Sequence, residues 1–322
     1  MPQRILRFFR TGGRLSSAGR ELSGMHKPVL LEEVIEYLKP ENGDVILDAT
    51  VGCGGHACAI LGKILPNGIL IGLDTDDEAL GAAAESLGPF PEKSVRLAQN
   101  NFADFNMVLE KMGVDKVDGV VADLGVSSLQ LDSAGRGFSI GADGPLDMRM
   151  DRGSSITAGA VVNKYREDRL SEIFWTYGEE RFARRIARFI VKRRSEKPIQ
   201  TTHELAGLVM RASGRGRGRA RIHPATRVFQ ALRIEVNREL ESLKGFLDKL
   251  PSFLRKGARV CVISFHSLED RMVKVAFRKY AAEGKIRILT KKPLRPSEQE
   301  MAHNPRSRSA KMRVGECLGV EA

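Results

Sequence analysis

Asp44 to Asp76 reads DVILDATVGCGGHACAILGKILPNGILIGLDTD. Val45-Ile46-Leu47 is a short apolar run ending on Asp48. A turn with Gly52, Gly54 and Gly55 follows, then helical spacing from His56 to Leu65. A second apolar run, Ile69 to Leu73, ends on Asp74. Strand, glycine turn, helix, strand and acid make one βαβ unit with a nucleotide-binding turn. Gly52 permits the sharp turn, and Gly54 and Gly55, without a Cβ, let backbone N–H groups approach a ligand. The helix N-terminus adds a partial positive end. Asp74, 22 residues after Gly52, is placed to accept hydrogen bonds from ribose hydroxyls. An ordinary βα turn is the plainer alternative, since a glycine fingerprint alone is weak.

Outward from this unit the alternation continues. Val29 to Leu38 predicts an amphipathic helix ended by Pro40 and Gly43, and Asp76 to Leu87 a helix with acids in its first turn. Ser94 to Ala98 reads as a third strand leading to Asn100-Asn101-Phe102. Asp104 is placed to cap a helix reaching Met112, and Asp118 to Leu124 is a fourth strand. Strict β/α alternation gives a parallel, doubly wound sheet. Gly125 to Asp151 is loop-like. Helical patterns follow at Asp168 to Tyr177, Glu179 to Arg194 and Thr201 to Ala212, the last with a Thr201/Glu204 capping box. Pro224 to Leu250 reads as one long helix returning to the sheet. Ala258 to Ser264 is a fifth strand and Leu268 to Tyr280 its helix. Ile286 to Thr290 and Lys311 to Val314 suit a terminal antiparallel pair, for seven strands in all.

The 322 residues fit about two domains. No run of about 18 apolar residues predicts a membrane span. Four cysteines without a CxxC pair, and six histidines without ligand spacing, suggest neither a disulfide framework nor a metal site. A net charge of +12 favours a polyanionic partner, RNA or DNA ahead of membrane. Three basic elements stand out. Arg181, Arg184, Arg185, Arg188 and Lys192 share one helical face with no acid between 181 and 194, Arg215 to Arg221 alternate with small residues, and residues 285–313 hold nine basic groups against two acids. Residues 1–24, with five arginines and one acid, read as an extension outside the fold or an organellar presequence.

The strand ends bring Asp48, Asp74, Asn101/Phe102 and Asp123 to one sheet edge, where such folds bind ligands. Each acid alternatively caps the following helix. Phe102 either stacks on an adenine or edges the core. His266, after the fifth strand, is a candidate base, or part of a turn capped by Ser267 with Asp270. Ser127 and Asp123 sit where an amine would be presented.

His26-Lys27-Pro28-Val29-Leu30, Gly52-Cys53-Gly54-Gly55-His56 and Asp123-Leu124-Gly125-Val126-Ser127-Ser128 carry a resemblance. Gly144 to Asp151 (GPLDMRMD), Tyr177 to Arg181 (YGEER), His223 to Arg227 (HPATR), Ser264 to Arg271 (SFHSLEDR) and Asn304-Pro305-Arg306 extend it. The chain resembles the ribosomal RNA small-subunit methyltransferase H family across roughly residues 26–313. The resemblance implies a Rossmann-like methyltransferase sheet with an inserted α-helical domain. It implies an S-adenosylmethionine cofactor held by Gly54, Gly55, His56, Asp74, Phe102, Asp123 and Gln130. It also implies methylation of N4 of cytidine 1402 in 16S rRNA of the small ribosomal subunit, in the bacterial cytoplasm or an organelle. The corresponding division is an extension at 1–24, a methyltransferase domain at 25–133 and 226–322, and an RNA-recognition insert at 134–225. Neither a membrane nor a metal is expected, and monomer and dimer both fit. The arginine-glycine stretch 214–221 is outside the family's pattern. Asp123, Ser127 or a local carbonyl are the candidates to accept an N4 proton. A nicotinamide-dependent oxidoreductase also satisfies Gly52-x-Gly54-x-x-Ala57 with Asp74, and an RNA-binding assembly factor with a vestigial pocket is the non-enzymatic rival.

Overall fold

A computed structural model describes residues 28–214 and 223–319. The arginine-rich extension 1–24 and Arg215 to Arg221 lie outside the described residues.

Contacts divide the chain into two compact units, one falling within Met1–Gly125 and Ser242–Ala322, the other Val126–Glu241. The sequence-based limits 134–225 lie inside the second. In the first unit, α1 (Leu31–Leu38) precedes β1 (Val45–Asp48), α2 (Gly55–Ile64), β2 (Ile69–Asp74), α3 (Asp77–Leu87), β3 (Val95–Gln99), α4 (Phe105–Lys111) and β4 (Val117–Asp123). The second unit carries α5 (Ser128–Asp132), α6 (Ala158–Lys164), α7 (Glu167–Thr176), α8 (Ala183–Glu196), α9 (Thr202–Ser213) and α10 (Thr226–Asn237). After α11 (Glu239–Lys249), the first unit resumes with β5 (Leu254–Ser264), α12 (Ser267–Ala282), β6 (Ile286–Ile288), α13 (Glu298–His303) and β7 (Lys311–Cys317).

The seven strands form one sheet in the order β3-β2-β1-β4-β5-β7-β6. All pairs through β5 are parallel, and β7 runs antiparallel to both β5 and β6. The α/β class and the inverted final strand match the sequence expectation. Both faces are covered, so the strands are apolar on both sides. Leu47, Ile71, Val120 and Val262 point into one core. Their neighbours Ile46, Leu70, Val121 and Ile263 point into the other. The seventh strand separates this sheet from the dinucleotide-binding order 3-2-1-4-5-6, which repeats one βαβαβ half.

Several element limits differ from the expectation, each for a local reason. The single helix over Pro224 to Leu250 is two, broken at Arg238, which adopts a left-handed φ of 51°. Asn237 closes the break: its amide donates to Met148 O and accepts from Met150 N at 2.8 and 2.7 Å. Asp104 makes no side-chain cap for α4; Asn101 caps the preceding 3-10 turn instead. The α12 cap is His266 with Glu269, one residue before the Ser267/Asp270 pair. Asp270 is drawn away by Arg313, at 2.7 Å. The "loop" Gly125 to Asp151 contains α5 and is tightly built. Buried Arg136 donates to Arg149 O and Met150 O, and a Cβ on Gly144 would lie 1.9 Å from Ala134 O. Thr201 and Glu204 form the expected capping box on α9.

Candidate functional site

Parallel strands all point their carboxyl ends at one edge. In register, β1, β2 and β4 deliver Asp48, Asp74 and Asp123 there. Asp48 is 2% exposed and accepts one hydrogen bond, from Thr50 N at 3.2 Å. Burial, with Asp74 nearby, raises it to about 7. Asp74 is half-buried and accepts from two backbone amides, Gly52 N at 3.0 Å and Asp76 N at 2.9 Å. Burial outweighs these bonds and raises it to about 6. Asp123 has a buried Oδ1 with no hydrogen-bond partner. Burial, then the charges of Asp48 and Glu269, holds its carboxyl well above the usual range. Thr50 links two of these acids: its amide donates to Asp48, and its hydroxyl oxygen accepts from Asp123 N at 2.7 Å.

The glycine turn works partly as expected and partly otherwise. Gly52 and Gly54 have φ of 52° and 89°, which an L side chain resists. Gly54 is the N-cap of α2 and provides no side-chain cap, so the first amides of the helix, including that of His56, face the edge without one. Gly55 is glycine for a packing reason, because a Cβ there would lie 2.4 Å from Pro28 Cγ. The His56 ring turns away from the turn and lies 3.0 Å, through Nε2, from Val29 O. Burial lowers it to about 4, so it is neutral, and its Nδ1 stands 4.0 Å from Asp123 Oδ2. The His56 backbone N–H thus stays at the uncapped helix start, while its ring contacts the Val29 segment.

Phe102 packs edge-on against Phe246, with ring centroids 5.6 Å apart. Beside it, Asn100 has a buried Nδ2 without a partner. His266 accepts from Glu269 N through Nδ1 and donates its own N–H to the Glu269 carboxylate, so it caps α12, while its buried Nε2 lies 3.2 Å from Glu269 Oε1. Ser127 and Gln130 belong to the second unit and form a reciprocal capping box on α5. The Ser127 oxygen accepts from Gln130 N, and Gln130 Oε1 accepts from Ser127 N. Sequence reading missed Thr50 and Asn100. The only trace of Thr50 was a hydroxyl two residues past a strand-terminal acid.

This donor and acceptor set discriminates between ligands. Three carboxylates converge, and Asp48 to Cys58 contains no Lys or Arg. A pyrophosphate would meet like charge, whereas a ribose diol and a cationic sulfonium or ammonium group find acceptors. The oxidoreductase alternative thus fits less well, by strand order and by the charge of the edge. Residues 23–318 match the MraW methylase family. The chain belongs to that family. It is 50% identical to the Ribosomal RNA small subunit methyltransferase H of Geotalea uraniireducens, covering 90% of this chain and 98% of that one. To the protein of the same description from Cyanothece sp. it is 52% identical, over 91% of this chain and 95% of that one. This methylase is an S-adenosylmethionine-dependent enzyme, and its acid-lined edge suits that cofactor. No helix among its described residues is long and apolar enough to cross a membrane.

Proposed function

We propose that this methylase modifies 16S rRNA of the small ribosomal subunit in the cytoplasm, at N4 of the cytidine at 1402. Relatives about half identical over nearly their whole length bear the small-subunit rRNA description. The structural observation that carries the chemistry is the unpartnered, buried Oδ1 of Asp123 at the sheet edge.

Bound S-adenosylmethionine supplies an already activated methyl group at its sulfonium. The protein's task is then placement. Asp74 accepts from the ribose hydroxyls with the lone pairs its two backbone donors leave free. The uncapped amides of Gly55 and His56 and the edge of Phe102 complete the cofactor cradle. Cytosine N4 is a weak nucleophile because its lone pair is delocalised into the ring. Asp123 Oδ1 accepts a hydrogen bond from an N4 proton and returns electron density to the nitrogen. Its elevated affinity for protons lets it take that proton once the methyl is in place. Ser127 is the weaker candidate, its oxygen already accepting from Gln130 N. The target base is unstacked to reach the edge.

The helical insert is the RNA-recognition part on this reading. Arg184, Arg185, Arg188 and Lys192 are all exposed on α8, as is Arg181 just before it. Arg185 lies 5.8 Å over the Phe189 ring, a pairing on which an unpaired base can stack. Mass mapping of methylated nucleosides in small-subunit rRNA after incubation with the protein tests the substrate, with N4-methylcytidine at one position expected. Unmodified rRNA would refute it. Asp74→Ala should abolish S-adenosylhomocysteine binding, and NAD should not compete with that ligand in equilibrium binding.

A further inference from the structure

The segment between β6 and β7, residues 289–310, is absorbed by neither the cofactor site nor the helical insert. Strand direction fixes where it lies. β6 ends, and the antiparallel β7 begins, toward the same edge at which β5 ends, since Lys311 pairs with Ser264 and Ile288 with Gly315. The connector therefore emerges on the ligand side of the sheet.

It is a built structure. Leu294 and Met312 exchange backbone hydrogen bonds at 2.9 and 3.0 Å. Buried Thr290 accepts from Val314 N at 2.9 Å. Buried Ser307 donates to Asn304 O at 2.8 Å, closing a 3-10 turn over Pro305–Ser309. Glu300 Oε1 accepts from Leu30 N at 2.9 Å. The adjacent Val29 O is 3.0 Å from the His56 ring, whose other nitrogen faces Asp123. A short line of contacts thus ties the connector to the cofactor turn.

On this frame Lys291, Lys292, Arg295, Arg306 and Arg308 are all exposed. Two acids oppose these five cations, Glu298 and Glu300, and Glu300 is engaged with Leu30. A solvated face usually mixes signs. This one is cationic and is anchored by buried polar residues at the edge where the base must arrive.

We propose that the β6–β7 connector is a phosphate clamp for the unpaired RNA strand flanking the target nucleotide, with Arg306 and Arg308 as its fixed prongs. This rests on the rRNA reading above and adds to it a second RNA surface, on the methyltransferase unit itself. The prongs grip the backbone and read no base, so they position the strand without selecting sequence.

The test uses the full chain and small ribosomal subunits lacking the methyl group. Arg306→Ala/Arg308→Ala should raise KM for the subunit about tenfold with kcat nearly unchanged. It should also flatten the log affinity against log salt slope by about 1.4, two single-strand phosphate contacts at about 0.7 each. S-adenosylhomocysteine affinity by calorimetry should match the parent. Arg306→Lys/Arg308→Lys should keep the parent slope, separating charge from a packing effect. Parent KM and slope in the alanine pair, with the parent protein active, would overturn the clamp alone. A slope lost equally in the lysine pair would overturn it too. A parent protein that neither binds nor methylates small-subunit rRNA would bring down the substrate reading and the clamp with it.

Discussion

Asp48→Asn isolates the energetic consequence of crowding acids at the sheet edge. Asp48 is 2% exposed, and burial raises its carboxyl from 3.8 to about 7. The folded state therefore holds a proton that the unfolded chain has released between those values, and stability falls as pH rises through that window. About three pH units at about 1.4 kcal/mol each give an upper value of roughly 4 kcal/mol, less whatever water entry and relaxation screen. Asn keeps an oxygen for Thr50 N and carries no charge, so the variant escapes this loss. Near pH 4 and below, where the carboxyl is protonated in both states, the two proteins should melt nearly together. At pH 8 the variant should melt higher, by up to about 8 °C at about 2 °C per kcal/mol for a chain of this size. Calorimetric melts across pH 4–8 measure the difference directly. Asp74 and Asp123 titrate in both proteins, so subtraction leaves Asp48 together with its share of the Asp123 elevation. A gap that is constant with pH, or a variant less stable at pH 8, would refute the assignment.

Two further substitutions probe the turn. Gly55→Ala places a Cβ about 2.4 Å from Pro28 Cγ and should cost about 1–3 kcal/mol in denaturant melts. Pro28→Ala in the same chain should recover part of that loss, and strict additivity would show that the contact is not the cause. Thr50→Val removes the acceptor 2.7 Å from Asp123 N, costing about 1–3 kcal/mol for an unsatisfied amide. It should lower kcat with little change in KM for rRNA, and Thr50→Ser should restore kcat. A Thr50→Val enzyme with parent kcat would remove Thr50 from any positioning role.

What the sequence made legible follows from range. The βαβ unit is written in neighbouring residues: apolar runs, glycines at positive φ, and acids at strand ends. The capping box at Thr201 and Glu204 is likewise local. Features set by distant partners were not legible. Gly55 reads as a ligand glycine until Pro28 is seen against it. Asp270 reads as a capping acid until Arg313, 43 residues on, claims it. The start of β5 was placed four residues late because Arg255, Lys256 and Gly257 are exposed and lack the apolar signature of the buried run after them. The break at Arg238 carries neither Pro nor Gly, and its cause, Asn237 reaching Met148 and Met150, lies nearly ninety residues back in the chain. In the site, the three acids were foreseeable from strand ends, but their elevation depends on burial, which the Thr50 hydrogen bond only partly offsets at Asp48.

The distribution of charge about the sheet edge follows from what a methyltransferase for RNA must hold. Its cofactor is cationic at the reacting centre, and its substrate is polyanionic. A single electrostatic character cannot suit both. The methyltransferase unit answers by depth: Asp48 and the Asp123 oxygen are withdrawn from water, Asp74 is half-buried, and the cations of the β6–β7 connector are exposed. Withdrawal matters because surface charges are screened over about 8–10 Å in physiological salt, while buried ones are not. The outer cations can attract phosphates over a distance and release them as salt rises. The inner acids act only on what enters the edge. Raised proton affinity adds a limit, since a partly protonated cluster repels an approaching phosphate less than three full charges would. That restraint should weaken as pH climbs through 6 and 7, the values burial sets for Asp74 and Asp48. KM for the ribosomal subunit should therefore rise between pH 6 and pH 8 in the parent enzyme, and rise less in Asp48→Asn. An equal rise in both would mean that the inner acids are not sensed by the RNA.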